Sequence, residues 1–293
     1  MDVRRWLVWL VVAMTLLSAC VPIGLRGLVS TPESPPVAEV TQPIHSYRAI
    51  LHQEIQNTLA DGSTVSSDRG YSYTWQATDG PFGYDVHVVV SMTDPFRGDQ
   101  IVVDEIYAVG EFFYRQTAYE FPMGWGEFGT MSRSDESTVA GGLPILVNGP
   151  LDSNTLAQIS GLPIPTLLAQ SEDLGEEMTA GLRATHYRLT DIPVLTAQME
   201  SRLGIPPPAT SSPLATTSPL RFDSAQFDIW VDMESGMPLR YTLRAVGKSD
   251  VAGTGTAVPI TIVDDYNVSD INNGLSVEVP AEILAAAAEK AQP

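Results

Sequence analysis

The chain has 293 residues and a formal net charge of −19, with 35 acidic residues against 16 lysines and arginines. So strong an acidic excess repels phosphate backbones, which excludes nucleic acid as an expected partner. Hydrophobic residues make up 44% of the sequence, a share typical of a globular protein rather than of a disordered acidic chain.

The N-terminus has the pattern of an export signal. Arg4 and Arg5 precede a twelve-residue uncharged run from Trp6 to Leu17. A basic start followed by an apolar run of roughly 7–15 residues is typical of a secretory signal peptide. We therefore predict a signal peptide over residues 1–19.

Cys20, the only cysteine of the chain, follows that run directly. The residues around it, "LSAC" at 17–20, resemble the lipobox of bacterial lipoproteins. The resemblance implies cleavage before Cys20 and a lipid attached to its sulfur. The alternative is an uncleaved anchor, because residues 6–25 are twenty uncharged residues and about twenty can span a bilayer. Both interpretations place the rest of the chain outside the cytoplasm, held at the bacterial cell membrane.

The next segments are predicted to be a tether and a helix. Residues 20–43 form a lipidated N-terminus and a proline-rich tether with few large apolar residues. In residues 43–59, apolar side chains recur at steps of three and four, which predicts an amphipathic helix. This periodic set is Ile44, Tyr47, Leu51, Ile55 and Leu59.

Four strands are predicted after that helix. Residues 70–77 are rich in aromatic side chains, and residues 84–92 alternate apolar and polar side chains. Residues 100–110 and 111–119 give two further runs joined around Gly110. Such runs, separated by turn residues, indicate an antiparallel meander.

The middle of the chain is predicted to be mainly helical. Short helices are expected within residues 149–178, with Asp152 or Ser153 as an N-cap. A strand over 181–192 and another helix over 192–205 follow. Residues 206–220, rich in proline, serine and threonine, are predicted to be a mobile loop.

The C-terminal third has the clearest strand pattern. Residues 225–233 and 238–247 both alternate, and the turn sequence "ESGMP" between them indicates a β-hairpin. On its polar face we predict cross-strand pairs between acids of the first strand and arginines of the second. Residues 258–268 and 275–280 are predicted strands, and residues 281–293 are an alanine-rich tail. Residues 264–274 are predicted to be a solvated turn rather than a calcium site, because they lack the regular ligand spacing and the closing glutamate.

This order of elements resembles the LppX/LprG-type lipoproteins, within the wider LolA-like group. The family's strand with glycine and tyrosine six residues apart matches Gly181 and Tyr187. Its strand–turn–strand motif matches Trp230, Asp232, Gly236 and Pro238. The similarity spans residues 44–280, which we take as one domain.

The resemblance implies an α+β fold: a strongly curved, unclosed antiparallel half-barrel with helices packed in its concave face. It also implies an apolar cavity for acyl chains of a lipid or a lipoprotein. Candidate ligand contacts are the apolar sides of the meander and hairpin, although a plain core requires the same residues. These candidates are Val86, Val88, Val90, Ile229, Val231, Leu239, Tyr241 and Leu243.

No pattern in the sequence indicates catalysis. The four histidines lack the spacing of a metal site, and no nucleophile elbow is present. We therefore expect no cofactor, no metal and no enzymatic activity. Two functions remain open: an anchored protein that binds or carries lipid, and a structural or sensory lipoprotein whose filled core leaves it to bind a protein partner.

Overall fold

A computed structural model describes residues 43–59, 61–93, 99–117, 129–133, 150–203, 220–250 and 257–290. The predicted signal peptide, Cys20 and nearly all of the tether lie outside these ranges. So does the predicted 206–220 loop, apart from its last residue.

Eleven strands form one sheet in which every neighbouring pair is antiparallel. The strands are β1 (Ser46–Thr58), β2 (Thr64–Ala77), β3 (Tyr84–Thr93), β4 (Gln100–Val109), β5 (Phe112–Thr117), β6 (Gly129–Ser132), β7 (Glu172–Thr179), β8 (Leu182–Leu189), β9 (Leu220–Asp232), β10 (Pro238–Ser249) and β11 (Val258–Ser269). Their spatial order is β6-β5-β4-β3-β2-β1-β11-β10-β9-β8-β7. The sheet does not close, because β6 and β7 are its two edges.

Four helices complete the described part of the chain. They are α1 (Ser153–Ser160), α2 (Ile164–Ala169), α3 (Ile192–Arg202) and α4 (Ala281–Lys290). The first three bury apolar side chains in the main core of the sheet. The α+β half-barrel with helices in its concave face is therefore confirmed.

Polar side chains begin two of these helices. The Asp152 carboxylate accepts a hydrogen bond of 2.7 Å from the Thr155 backbone N–H, and Asp191 accepts one of 3.0 Å from Val194. Each satisfies a backbone donor that the first helical turn leaves unpaired. The predicted cap at Asp152 is confirmed. No helix in the described part of the chain has both the length and the apolar character needed to cross a bilayer.

The helix predicted over residues 43–59 is wrong, because this segment is strand β1. Tyr47, Leu51 and Ile55 are four residues apart, so they share one face in a strand of period two as well as in a helix. The burial pattern decides between the two: Ala49 is buried beside Tyr47 and Leu51, whereas Ile50 is 50% exposed. Pairing with β2 on one side and β11 on the other then satisfies the backbone of β1.

Three smaller predictions also differ from the structure. The second helix of the middle region ends at Ala169, and β7 follows it. Residues 275–280 form no strand. On the predicted hairpin, Asp228 binds Arg188 of β8 rather than an arginine of β10, because the register places Thr242 opposite it.

Gly247 lies where the β9–β10 register shifts, and the neighbouring strand passes very close to it. A Cβ atom at this position would lie 2.1 Å from the Arg221 carbonyl oxygen. We predict that Gly247→Ala lowers the free energy of unfolding by about 3 kcal/mol or more, since backbone must move to relieve the overlap. Denaturant titration measures this change.

Gly70→Ala in β2 is the matched control. A Cβ atom there meets only the Ser91 hydroxyl oxygen, at 2.6 Å, and this side chain can rotate away. The control should cost less than half as much as Gly247→Ala. Equal losses for the two variants would contradict the prediction.

Candidate ligand-binding site

Aromatic side chains form the floor of the concave face at the centre of the sheet. The Tyr47 ring stacks on Trp75 and Tyr73 of β2, with centroids 5.5 and 5.9 Å apart. On the neighbouring strands, Tyr241 and Tyr266 stack at 5.6 Å. Their rings are rigid and largely apolar, so this floor suits contact with either a helix or an apolar ligand.

Helix α1 and the residues before it cover this floor. Leu151 and Leu156 are almost fully buried against it. The Leu151 backbone N–H donates a hydrogen bond of 2.6 Å to the Tyr47 hydroxyl oxygen. The start of α1 is therefore fastened to the floor by one polar contact within an apolar interface.

A gap remains between α1 and the sheet. Its volume is about 10 Å³, which is room for about one water molecule and far less than an acyl chain needs. The residues around it are Ala49, Leu51, Tyr71, Tyr73, Val88, Leu151, Leu156, Ile159 and Tyr266. In this conformation α1 therefore leaves no room for an acyl chain between itself and the sheet.

The sequence-predicted contact residues are mostly deep in the sheet. Seven of the eight are buried, and Val231 is half-buried. Only Val88 borders the gap. Their packing serves the core, and their contact with a ligand stays a prediction. Cys20 lies outside the described residues.

A buried polar network joins two helices to the floor beside this gap. The Arg202 guanidinium at the end of α3 donates to the Asp264 carboxylate on β11, with 2.6 Å between Nη1 and Oδ2. The Gln53 amide of β1 donates to the same oxygen at 3.2 Å and to the Ser160 carbonyl oxygen of α1 at 3.0 Å. One network therefore holds the C-terminal ends of both helices.

Desolvation dominates the electrostatics of this network. Asp264 has no exposed surface, and burial raises the pKa of its carboxyl above the ordinary value despite the opposing effects of Arg202 and Gln53. Burial likewise raises the pKa of the Tyr266 hydroxyl well above its usual range. Tyr266 therefore presents a neutral hydroxyl group to the concave face.

Four buried polar atoms of this region have no hydrogen-bond partner among the described residues: Asp264 Oδ1, Tyr241 Oη, Tyr266 Oη and Trp75 Nε1. An unsatisfied buried polar group costs about 1–3 kcal/mol. Native interiors contain few such groups. Their concentration at the helix–sheet interface indicates that this interface is less well satisfied than the rest of the core.

Sequence reasoning missed Gln53, Arg202 and Asp264. The solvated turn predicted over residues 264–274 includes Asp264, but β11 continues to Ser269 and the turn begins after it. The available signal was the alternation of β11, which places Asp264 on the same face as the apolar Ile262 and Tyr266.

A second polar cluster lies on the opposite, convex face. Both ring nitrogens of His186 face carboxylates, with Glu177 at 3.2 Å and Asp228 at 2.8 Å. Burial alone would raise the pKa of Asp228. Hydrogen bonds, including those from Arg188 and His186, outweigh burial and hold this pKa below its ordinary value. Every member of this cluster has a partner, which favours a role in joining β7, β8 and β9. Among the described residues, no group of three or more side chains is arranged to hold a metal ion.

Comparison with known proteins gives structural matches only. No protein-family profile and no curated protein matches the sequence. The protein LprF from Mycobacterium bovis aligns over 81% of this chain and 90% of its own, at 11% identity and a TM-score of 0.30. Lipoprotein LppX from Mycobacterium tuberculosis aligns over 80% of this chain and 90% of its own, at 11% identity and a TM-score of 0.31.

A LolA superfamily protein from Nitrosomonas europaea aligns over 84% of this chain and 93% of its own, with 12% identity and a TM-score of 0.18. Both groups named by the sequence resemblance, LppX-type lipoproteins and LolA-like proteins, are therefore among the matches. These TM-scores are too low for the matches to support any inference beyond that agreement. The fold is established by the chain's own sheet and helices.

We predict that Arg202→Met lowers the free energy of unfolding by about 3–5 kcal/mol at neutral pH, because it leaves the Asp264 charge buried without its partner. The loss should shrink in acid. Without Arg202 the pKa of Asp264 rises further, so the deficit relative to wild type grows as the pH rises through the wild-type pKa of Asp264, which itself lies above the ordinary aspartate value of about 3.8. Denaturant titrations across this pH range measure it.

Arg244→Met is the control, since Arg244 pairs with Asp265 at 3.6 Å on the exposed face. Exposed pairs contribute about 1 kcal/mol or less. Combining Arg202→Met with Asp264→Leu removes both charges and should recover most of the loss. A loss for Arg202→Met no larger than that of the control would refute the role assigned to the network.

Proposed function

We propose that this chain is an extracytoplasmic lipoprotein, anchored through Cys20, that binds an apolar ligand between its helices and the concave face of its sheet. The ligand class is acyl lipid, free or attached to another lipoprotein. The role requires binding and release but no catalytic group. In this proposal the described conformation is the closed, ligand-free state.

The observation that supports the proposal is the character of the helix–sheet interface. It is apolar and aromatic, yet it retains a gap and unpaired polar atoms at its centre. An interface that served only as a core would gain stability from removing both defects. Their presence favours an interface that separates.

The energies allow such an exchange. Full burial of a leucine contributes about 1.5–3 kcal/mol, so moving Leu151 and Leu156 off the floor costs a few kcal/mol. Each acyl methylene taken from water returns about 0.8 kcal/mol. Ten methylenes therefore return on the order of 8 kcal/mol, which offsets the loss.

The small size of the gap under α1 also supports a second function. With a gap of only about 10 Å³, the same fold could act as a structural or sensory lipoprotein that binds a protein partner through its surface. In that case α1 would never leave the floor. The two functions differ in whether lipid enters the domain.

The proposal predicts that protein purified from its host, without its N-terminal anchor, carries acyl lipid. Organic extraction followed by mass spectrometry should recover about one lipid per chain. The anchor is removed first so that covalent acyl groups are not counted. A clean extract, together with no uptake of added acyl lipid, would favour the second function.

Leu156→Ala provides a matched test of where the lipid enters. Leu156 borders the gap and is 1% exposed. Its truncation should cost about 2–5 kcal/mol in free protein, and added acyl lipid should restore part of this loss by filling the enlarged space. Leu195→Ala on α3, equally buried but away from the gap, should lose similar stability and show no larger lipid effect than wild type. Equal recovery of both variants would place the lipid elsewhere.

The anchoring part of the proposal has its own test. Cys20→Ala should leave an unprocessed precursor that carries no lipid, because the resemblance implies that acylation of the thiol precedes cleavage. Immunoblotting and mass spectrometry of the N-terminus measure this outcome. An unchanged mature N-terminus would show that cleavage does not depend on Cys20.

A further inference from the structure

Two unpaired polar groups lie next to each other on the floor of the concave face. Asp264 and Tyr266 are two residues apart on β11, so both point toward the helices. Their exposed fractions are 0% and 1%. Asp264 Oδ1 and Tyr266 Oη have no hydrogen-bond partner among the residues that the structure describes.

The orientation of the Asp264 carboxylate is held from one side only. Arg202 and Gln53 both donate to Oδ2, at 2.6 and 3.2 Å, and leave Oδ1 as an acceptor. The Tyr266 hydroxyl can donate and accept, and its residue borders the gap beneath α1. These two residues therefore offer one fixed acceptor and one hydroxyl group that can donate or accept, within an apolar surface.

We propose that Asp264 and Tyr266 form a polar subsite that receives a hydroxyl group carried by an otherwise apolar ligand. The inference rests on the proposed function, and it narrows the ligand class to long-chain alcohols and hydroxyl-bearing acyl lipids. A hydroxyl both donates and accepts, so it can donate to Asp264 Oδ1 and pair with Tyr266.

Other apolar ligands fit this subsite less well. An ether or an ester has no donor, so it leaves Asp264 Oδ1 unsatisfied in a dry interface, which disfavours binding. A carboxylate or phosphate brings a negative charge toward the free oxygen of Asp264, and like charges repel strongly at a buried site. The subsite thus favours a ligand with a neutral hydrogen-bond donor over an ether or ester and over an anion.

The experiment compares three probes that differ only at one end: oleyl alcohol, oleyl methyl ether and oleate. Each is delivered from cyclodextrin to the anchor-free protein, and affinity is measured by native mass spectrometry. We expect oleyl alcohol to bind about tenfold or more tightly than the ether, the gain from one hydrogen bond to a charged group. Oleate should bind more weakly than the alcohol.

Tyr266→Phe removes one hydroxyl oxygen and leaves the ring stack in place. It should reduce the preference for alcohol over ether at least threefold and leave the affinity for the ether unchanged. Tyr107→Phe, which removes the hydroxyl that donates to Glu105 on the convex face, should keep the wild-type preference. In free protein, Tyr266→Phe should unfold at the same or a higher denaturant concentration, because its lost hydroxyl was unpaired.

Each contrary result overturns the inference in a distinct way. Equal binding of alcohol and ether by wild type refutes the subsite but leaves lipid binding standing. An unchanged preference, or a clear loss of stability, in Tyr266→Phe shows that the hydroxyl has another role. Binding of none of the three probes refutes the subsite together with the proposed function.

Discussion

The pairing of β1 with β11 is the interaction on which the rest of the structure depends. These strands come from opposite ends of the domain, yet they pair over ten residues from Arg48 to Asn57. Their pairing joins the meander β1–β6 and the strands β7–β11 into one sheet. Because both strands are central, every hydrogen-bonding edge of β1 and β11 is satisfied, and the two halves share one concave face.

The buried network follows directly from this pairing. Its register places Gln53 opposite Asp264, so an amide from one half meets a carboxylate from the other. Arg202 then reaches the carboxylate from α3, and Ser160 receives the amide from α1. The C-terminal ends of α1 and α3 are thereby held where β1 pairs with β11. A change in this pairing therefore affects the positions of both helices.

The sequence predicted most strands and the central helices because their signals are local. The alternation of residues 84–92 and the cap at Asp152 need no knowledge of distant residues. The helix prediction for residues 43–59 is wrong because a spacing of four fits both the helical and the strand period. Only the pairing with β2 and β11 decides between the two. The network was out of reach for the same reason, since Gln53, Arg202 and Asp264 meet only through long-range pairing.

Under the proposed function, polar atoms at the centre of the apolar interface affect the closed and open states differently. Apolar side chains under α1 favour closure by an amount set by their area alone. Unpaired atoms such as Tyr266 Oη raise the free energy of the closed state without strengthening any contact that opening must break. The Arg202–Asp264 pair acts in the opposite sense, because it holds α3 in one place while adding little net stability. Together they hold the helices in one position while adding little net stability, which is what the proposed exchange of an apolar ligand requires.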